Sequence, residues 1–324
     1  MAHMLVTGAA GFIGSHLVDR LLEAGHSVLG IDNFRRGSRQ HLSAALPNSR
    51  FQFKVLDLNN LDQYRDMLAR VTARQPIDLV WHFAANSDIA AGVSDPQIDL
   101  RDTFLTTFHT LLLMREFAIR QIAFPSTSAV YGDNPAPLSE DTGPLLPISY
   151  YGAMKLASEA SISAAAESFL ERAWIFRFPN VVGPRATHGI IFDLLRKLAA
   201  NPDALEVLGD GSQQKPYLHV SELLDAMLFI QQHAAEKRNC FNIGPEDDGT
   251  TVRFIADTVV NVASPGRPIH YTGGNKGWVG DVPRFRYSIE KLNALGWKPR
   301  FNSEQAIARA VSEIAEEFQA RCSS

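Results

Sequence analysis

The sequence predicts an α/β fold, a doubly wound parallel sheet followed by a smaller mixed α/β domain, and three observations carry that reading. Up to residue 180, short β-rich runs alternate with helical periods, as they do when helices cover both faces of a parallel sheet. The first β-rich run enters a turn spaced by glycines, and the second ends on an acidic residue. Beyond Pro179 the alternation loosens into isolated helices separated by short strands.

The elements follow in order. Met4 to Thr7 forms the first strand, with Met1-Ala2-His3 left outside it, and Phe12 to Ala24 forms a helix that stops at Gly25, as a helix C-terminus favours. Strands are predicted at Ser27 to Asp32, Phe51 to Val55, Leu79 to Phe83, Gln121 to Pro125 and Ala173 to Phe178. Helices are predicted at Leu61 to Arg70, Thr103 to Ile119 and Tyr151 to Leu170. Pro135, Pro137, Gly143, Pro144 and Pro147 make the stretch 132–147 a loop, because proline continues neither a helix nor a central strand. Later helices span Ile190 to Ala200, Val220 to Ala235, Thr251 to Ala263 and Ser303 to Arg321, with short strands near Glu206, Cys240 and Ile269. The expected organisation is a Rossmann-type domain over residues 1–180 and a substrate domain over 181–324, one segment of which is free to return to the sheet.

Composition narrows the function. With 45% hydrophobic and 20% charged residues, the 324-residue chain supports a large core and is neither disordered nor collagen-like. Lys and Arg number 31 against 35 Asp and Glu, a net charge of -4, so no summed positive field gathers nucleic acid or an anionic bilayer. No window holds the roughly 18 uninterrupted apolar residues of a membrane span. Cys240 and Cys322 lie far apart with no CxxC or Cys/His spacing, which predicts no metal site and a reducing, cytoplasmic location.

The run Gly8-Ala9-Ala10-Gly11-Phe12-Ile13-Gly14 stands between a strand and a helix, where backbone N–H groups and a helix N-terminus can receive a pyrophosphate. Its GxxGxxG spacing is a variant of the dinucleotide fingerprint. Asp32 follows Gly14 by 18 positions, placed to accept hydrogen bonds from ribose hydroxyls and to repel a 2′-phosphate. Arg35 and Arg36 would suit a 2′-phosphate instead; the acid favours NAD over NADP.

Ser126-Thr127-Ser128 follows the fifth strand, and Ser149-Tyr150-Tyr151-Gly152-Ala153-Met154-Lys155 opens the next helix. Tyr151 and Lys155 are four positions apart and share a helix face. A cationic lysine beside a tyrosine favours its phenolate, making it a base near neutrality, and Thr127 is placed to orient a substrate hydroxyl. Behind a dinucleotide fingerprint, these three residues read as a hydride-transfer site.

With these motifs the sequence resembles the extended short-chain dehydrogenase/reductase superfamily, in its nucleotide-sugar epimerase and dehydratase branch. The resemblance spans nearly the whole chain: Thr7 to Gly14, Asp32-Asn33-Phe34, Asp57-Leu58, His82-Phe83-Ala84-Ala85, Thr127 with Val130-Tyr131-Gly132, Tyr151 to Lys155, Arg177-Phe178-Pro179-Asn180, and Gly209-Asp210-Gly211. It implies that Gly8, Gly11, Phe12, Ile13, Asp32, Asn33, Asp57, Leu58, Phe83, Ala84, Ala85 and Phe178 contact NAD together with Tyr151 and Lys155. It further implies that Thr127, Tyr151 and Lys155 are catalytic. Ser87, Ser128, Asn180, Lys215 and Lys276, with Thr127 and Tyr151, are the implied substrate contacts.

In this branch a carboxylate following the catalytic Ser/Thr serves elimination; here Ser128 and Ala129 stand there, which favours chemistry confined to C4. The resemblance thus implies an NAD-dependent nucleotide-sugar 4-epimerase, with a UDP-glucose/UDP-galactose-like pair as substrate. The alternatives are a dehydratase or 4-ketose reductase on the same scaffold and, in another class, a non-catalytic dinucleotide-sensing protein. Several positions depart from the family pattern. Thr103 to Thr107 replaces Asn-Val-x-Gly-Thr, Ser87 replaces a lysine of some 4-epimerases, Lys215 replaces an arginine, and Trp278-Val279-Gly280-Asp281 lacks the arginine of Arg-x-Gly-Asp. Phe104, Phe108, Leu111, Leu112, Ile162 and Phe169 exceed the apolar surface that one sheet face covers, and the family's habit implies an isologous homodimer through those two helices.

Overall fold

A computed structural model of the chain describes residues 1–134, 137–201, 203–274 and 285–322. It divides into two compact units, each discontinuous in sequence: one holds residues 1–132, 143–177 and 227–241, the other 133–142, 178–226 and 242–324.

The first unit is built on strands β1 (His3–Thr7), β2 (Ser27–Asp32), β3 (Phe51–Val55), β4 (Leu79–His82), β5 (Gln121–Pro125) and β6 (Arg172–Arg177), which pair in parallel. The strand Arg238–Asn242 returns to the edge beside β6, and the seven-stranded order is Arg238–Asn242, β6, β5, β4, β1, β2, β3. The chain winds outward from β1 to β3 and then crosses to β4 on the other side of β1. That reversal opens a crevice at the carboxyl ends of β1 and β4, where doubly wound sheets bind ligands. Leu5 faces Leu29 on one side and Val80 on the other, so β1 is buried and its sequence is almost wholly apolar.

Helix α1 (Phe12–Glu23) buries Leu17, Val18, Leu21 and Leu22 and ends at Ala24, with Gly25 at φ +86° beyond it. Helix α2 (Leu61–Thr72) starts where Asn60 accepts a 3.2 Å hydrogen bond from the Gln63 N–H, and it buries Tyr64 and Leu68. The helix Tyr150–Ser168 starts where Ser149 accepts a 3.1 Å bond from the Gly152 N–H.

Three differences from the sequence reading have local causes. Strand β1 starts at His3 rather than Met4, because His3 pairs with Ser27 and its N–H donates to Asp78 at 2.7 Å. The helix predicted over Thr103 to Ile119 divides into a π-helical segment, Leu100–Leu105, and a helix Thr106–Glu116. Ahead of them, Ile89–Ser94 and Pro96–Asp99 are short helices capped by the side chains of Asp88 and Asp95, where the sequence reading had none.

In the second unit, helices Ile190–Ala200, Val252–Ala263 and Ser303–Cys322 enclose a core that includes Leu194, Leu195, Ile255, Val259, Ile307 and Val311. Short strands pair Asn180–Val182 with Tyr217–His219 and Leu205–Val207 with Ile269–Tyr271, both in parallel, and Gln214–Lys215 with Thr250–Thr251 in antiparallel fashion. None of the described helices is long and apolar enough to cross a membrane. Among the described residues no cluster of His, Cys, Asp and Glu is arranged to hold a metal.

Candidate active site

The glycine turn shows why these positions tolerate no side chain. Gly8 sits at φ +66°, and a Cβ there would lie 2.8 Å from the Phe83 carbonyl carbon. A Cβ on Gly14 would lie 2.1 Å from the Gly8 carbonyl oxygen, so glycine lets the first turn of α1 press onto the loop. No side chain caps the N-terminus of α1 and no acidic residue stands in its first turn, which leaves the helix dipole to an anionic guest.

Asp32 ends β2 with only 8% of its surface exposed. Its carboxylate accepts the Ala10 N–H at 3.0 Å and the Phe34 N–H at 2.7 Å, which fixes it against the glycine turn. Burial raises its pKa, and those N–H groups work against that rise. Asp57 accepts the Asn59 N–H and the Asn33 amide at the end of β3, and Leu58 beside it is buried. The two arginines that suited a 2′-phosphate are already paired with acids. Arg35 reaches Asp102 and, at 3.7 Å, Asp57, while Arg36 reaches Asp88 at 3.0 Å. Glycines without room for a Cβ, an uncapped helix start and a carboxylate with neutralised arginines fit NAD rather than its 2′-phosphorylated form.

The Phe83 to Ala85 backbone is set by a buried polar chain. Thr7 Oγ1 accepts the Ala84 N–H at 3.1 Å and meets His82 Nδ1 at 2.9 Å, and His82 Nε2 meets Thr107 at 3.2 Å. Burial pulls the His82 pKa down to about 3, so its imidazole is neutral. Ser87 lies exposed just beyond.

Thr127, Ser128, Tyr151 and Lys155 come together where β5 meets the helix Tyr150–Ser168. Thr127 accepts the Ala129 N–H at 3.2 Å and caps the turn Ser128–Tyr131, and its hydroxyl is the polar neighbour that favours ionisation of Tyr151. A Cβ on Gly152 would lie 2.6 Å from the Ala129 carbonyl oxygen, so the glycine inside the Tyr151 to Lys155 motif lets this helix sit on that turn. Lys155 is buried, donates to the Pro125 carbonyl at 2.7 Å, and lies 4.6 Å above the Phe124 ring. Burial pulls its pKa down to about 7, against the carboxylates of Glu159 and Asp99. Burial pushes the Tyr151 phenol up to about 12, opposed by the Thr127 hydroxyl. The expected lowering of Tyr151 by Lys155 is not found: the lysine amine is drawn to the Pro125 carbonyl, and the Asp99 carboxylate adds to the rise that burial causes.

Sequence reasoning missed the plate behind this site. Glu159 accepts Arg177 Nη2 at 2.7 Å and Nε at 3.1 Å as well as the Ser126 hydroxyl, and Arg177 Nη1 donates to the Tyr131 hydroxyl at 3.1 Å. Its signal was available, since Glu159 follows Lys155 by four positions on the same helix face. Asp99 and Asn86, also missed, are buried and bonded at 2.8 Å; no motif marks either.

In the second unit Phe178 is half-buried and Asn180 exposed. Asn180 registers with Tyr217, two residues from the half-buried Lys215. Lys276 and the Trp278 to Asp281 motif lie outside the described residues.

The profile of the "NAD dependent epimerase/dehydratase family" matches residues 4–244. The chain is 32% identical over 320 residues to UDP-glucose 4-epimerase of Lacticaseibacillus casei, covering 92% of each chain. A solved UDP-galactose 4-epimerase superposes with a TM-score of 0.84 at 33% identity, over 98% of this chain and 99% of that one. The UDP-glucose 4-epimerase of Thermus thermophilus, solved in complex with NAD, superposes with a TM-score of 0.82 at 26% identity, over 96% of this chain and 98% of that one.

Proposed function

The chain belongs to the NAD-dependent epimerase/dehydratase family, and from that membership we propose that it is a nucleotide-sugar 4-epimerase acting on a UDP-glucose/UDP-galactose-like pair. The observation that carries this reading is the junction of Thr127, Tyr151 and Lys155 at the end of β5, with Ser128 and Ala129 next in sequence where elimination needs a carboxylate.

The cofactor is NAD. Gly8, Gly11, Phe12 and Ile13 would receive its pyrophosphate, Asp32 and Asn33 its adenosine ribose, and Asp57, Leu58 and Phe83 to Ala85 the neighbouring surface; Tyr151, Lys155 and Phe178 complete the proposed set. Bound NAD supplies a reversible hydride acceptor and a positive ring that favours a phenolate. Tyr151 takes the proton of the C4 hydroxyl at its phenolic oxygen and later gives it back. Thr127 holds that oxygen and the sugar hydroxyl in line, and Lys155 is anchored on the Pro125 carbonyl to fix the helix face that carries Tyr151. Ser87, Ser128, Asn180, Lys215 and Lys276 are the proposed contacts to the nucleotide sugar, with Lys215 the proposed partner of its diphosphate.

Pairing with a second copy belongs to the same proposal. Leu111 and Ile162 are core residues and Phe169 packs on the core, so they leave the expected surface. Leu100, Phe108 and Leu112 are 44%, 43% and 42% exposed, and with Phe104 they repeat every four residues along one helical stripe.

The test is an NMR time course with UDP-glucose and NAD. Appearance of the UDP-galactose anomeric signal supports the reading. In a parallel course with NADH and a 4-keto nucleotide sugar, stoichiometric oxidation of NADH would identify a reductase, and silence across a panel of nucleotide sugars would point to binding without turnover.

A further inference from the structure

Past the Pro125 and Phe176 register of β5 and β6, the Ser126 N–H donates to the Phe176 carbonyl at 2.7 Å, and the chain then leaves the sheet. The stretch from Thr127 to Tyr131 folds on itself as a short turn. Inside it the Val130 N–H meets the Thr127 carbonyl and the Gly132 N–H meets the Ala129 carbonyl, each at 3.4 Å, beyond the usual length of a strong backbone bond. Its place in the site is set from outside.

Both ends of the turn are anchored on one ion pair. Ahead of it, the Ser126 hydroxyl donates to Glu159 Oε1. Behind it, the Tyr131 hydroxyl accepts Arg177 Nη1 at 3.1 Å, and the Tyr131 ring lies 5.0 Å from the guanidinium carbon. Arg177 Nη2 and Nε close the chain on Glu159 at 2.7 and 3.1 Å. All four side chains are buried, and a charged pair whose partners are this fully engaged favours one arrangement. Glu159 also shares a helix face with Gly152 and Lys155, spaced i, i+3, i+7. That face meets the strand end in three places: Gly152 presses on the Ala129 carbonyl, Lys155 donates to the Pro125 carbonyl, and Glu159 holds the Ser126 hydroxyl. Arg177 carries the tie around to Tyr131.

We propose that Glu159 and Arg177 are positioning residues of this site. Through Ser126 on one side and Tyr131 on the other, they hold the turn that carries Thr127 and Ser128 in register with the helix that carries Tyr151 and Lys155. The role deepens the proposed 4-epimerase activity and rests on it, since Thr127 and Tyr151 there act on one sugar hydroxyl. A displacement of about 1 Å between such groups can cost about a hundredfold in rate.

Tyr131→Phe tests this with the ion pair left in place, because it removes only the hydroxyl that Arg177 holds and keeps the ring. In the full-length protein with NAD and UDP-glucose, kcat is expected to fall by about tenfold to a hundredfold while KM and NAD affinity keep their parental values. A merely structural role would lower the urea midpoint and leave kcat of the folded protein as it was; parental kcat therefore overturns the proposal, as does an equal loss of NAD affinity. A second readout needs no turnover. The order parameter of the Thr127 methyl group, from 13C relaxation with the signal assigned by its loss in Thr127→Ser, is expected to drop in Tyr131→Phe, and an unchanged value overturns the proposal. Should that variant fail to fold, Ser126→Ala releases the other end of the turn, with the same two results expected and the same two contrary results decisive. If the parent turns over no nucleotide sugar, the functional reading fails, and the Thr127 order parameter alone decides the positioning.

Discussion

Lys155 and Pro125 are joined by a 2.7 Å hydrogen bond from the lysine Nζ to the proline carbonyl oxygen, which ties the motif helix to the end of β5. Its consequence is electrostatic. Burial lowers the Lys155 pKa from 10.5 to about 7, so between those values the unfolded chain holds a proton that the folded chain does not. Lys155 therefore makes stability rise with pH across that window, and below about 7 the burial of its charge counts fully against the fold. Lys155→Met should flatten this part of the pH profile, read from urea midpoints at neutral and alkaline pH. Equal slopes in parent and variant would contradict the buried, neutralised amine.

Arg177 and Glu159 are each 6% exposed and joined side by side, with the Ser126 hydroxyl completing the carboxylate's partners. Replacing one member leaves the other charge buried without its counter-ion. Glu159→Gln should cost about 3–5 kcal/mol in urea unfolding. The double variant Glu159→Leu with Arg177→Met should recover much of that loss, because no buried charge remains.

Gly14→Ala tests the glycine turn. Its Cβ would meet the Gly8 carbonyl oxygen at 2.1 Å, a contact with backbone that cannot swing aside. NAD affinity should fall by about tenfold or more, roughly 1.4 kcal/mol, in a calorimetric titration. Undiminished binding would show that the turn does not cradle the dinucleotide.

Tyr151→Phe removes the hydroxyl proposed to accept the sugar proton and keeps the ring. Turnover should drop by about 10²- to 10⁴-fold while NAD binding persists. Activity near the parent level would remove Tyr151 from the proton transfer.

The exposed stripe of Leu100, Phe108 and Leu112 should close on its counterpart in a second copy. Light scattering at micromolar concentration is expected to give a dimer for the parent and a monomer for Phe108→Glu. A monomeric parent would overturn the pairing.

Local patterning made much of this molecule legible. Leu5-Val6-Thr7 before three spaced glycines, and Asp32 closing an apolar run, specify strand, turn, helix and strand because each depends on neighbours close in sequence. Tyr151 and Lys155 were legible for the same reason, since a single helix turn sets their common face. The short helices Ile89–Ser94 and Pro96–Asp99 were not legible, because they are too brief for a period and rest on caps from Asp88 and Asp95.

By itself, then, the sequence determined the winding of the sheet, the glycine turn, the acid at the end of β2 and the tyrosine–lysine face. All of these follow from short-range periodicity and spacing. Tertiary structure alone decided where charge resides. Arg35 and Arg36 are claimed by Asp102 and Asp88, Lys155 is drawn to Pro125, and Arg177 is locked to Glu159. Asp99 is buried against Gly92 and bonded to Asn86. The physical reason is that ionisation depends on burial and on partners brought together through space, and neither quantity has a period along the chain.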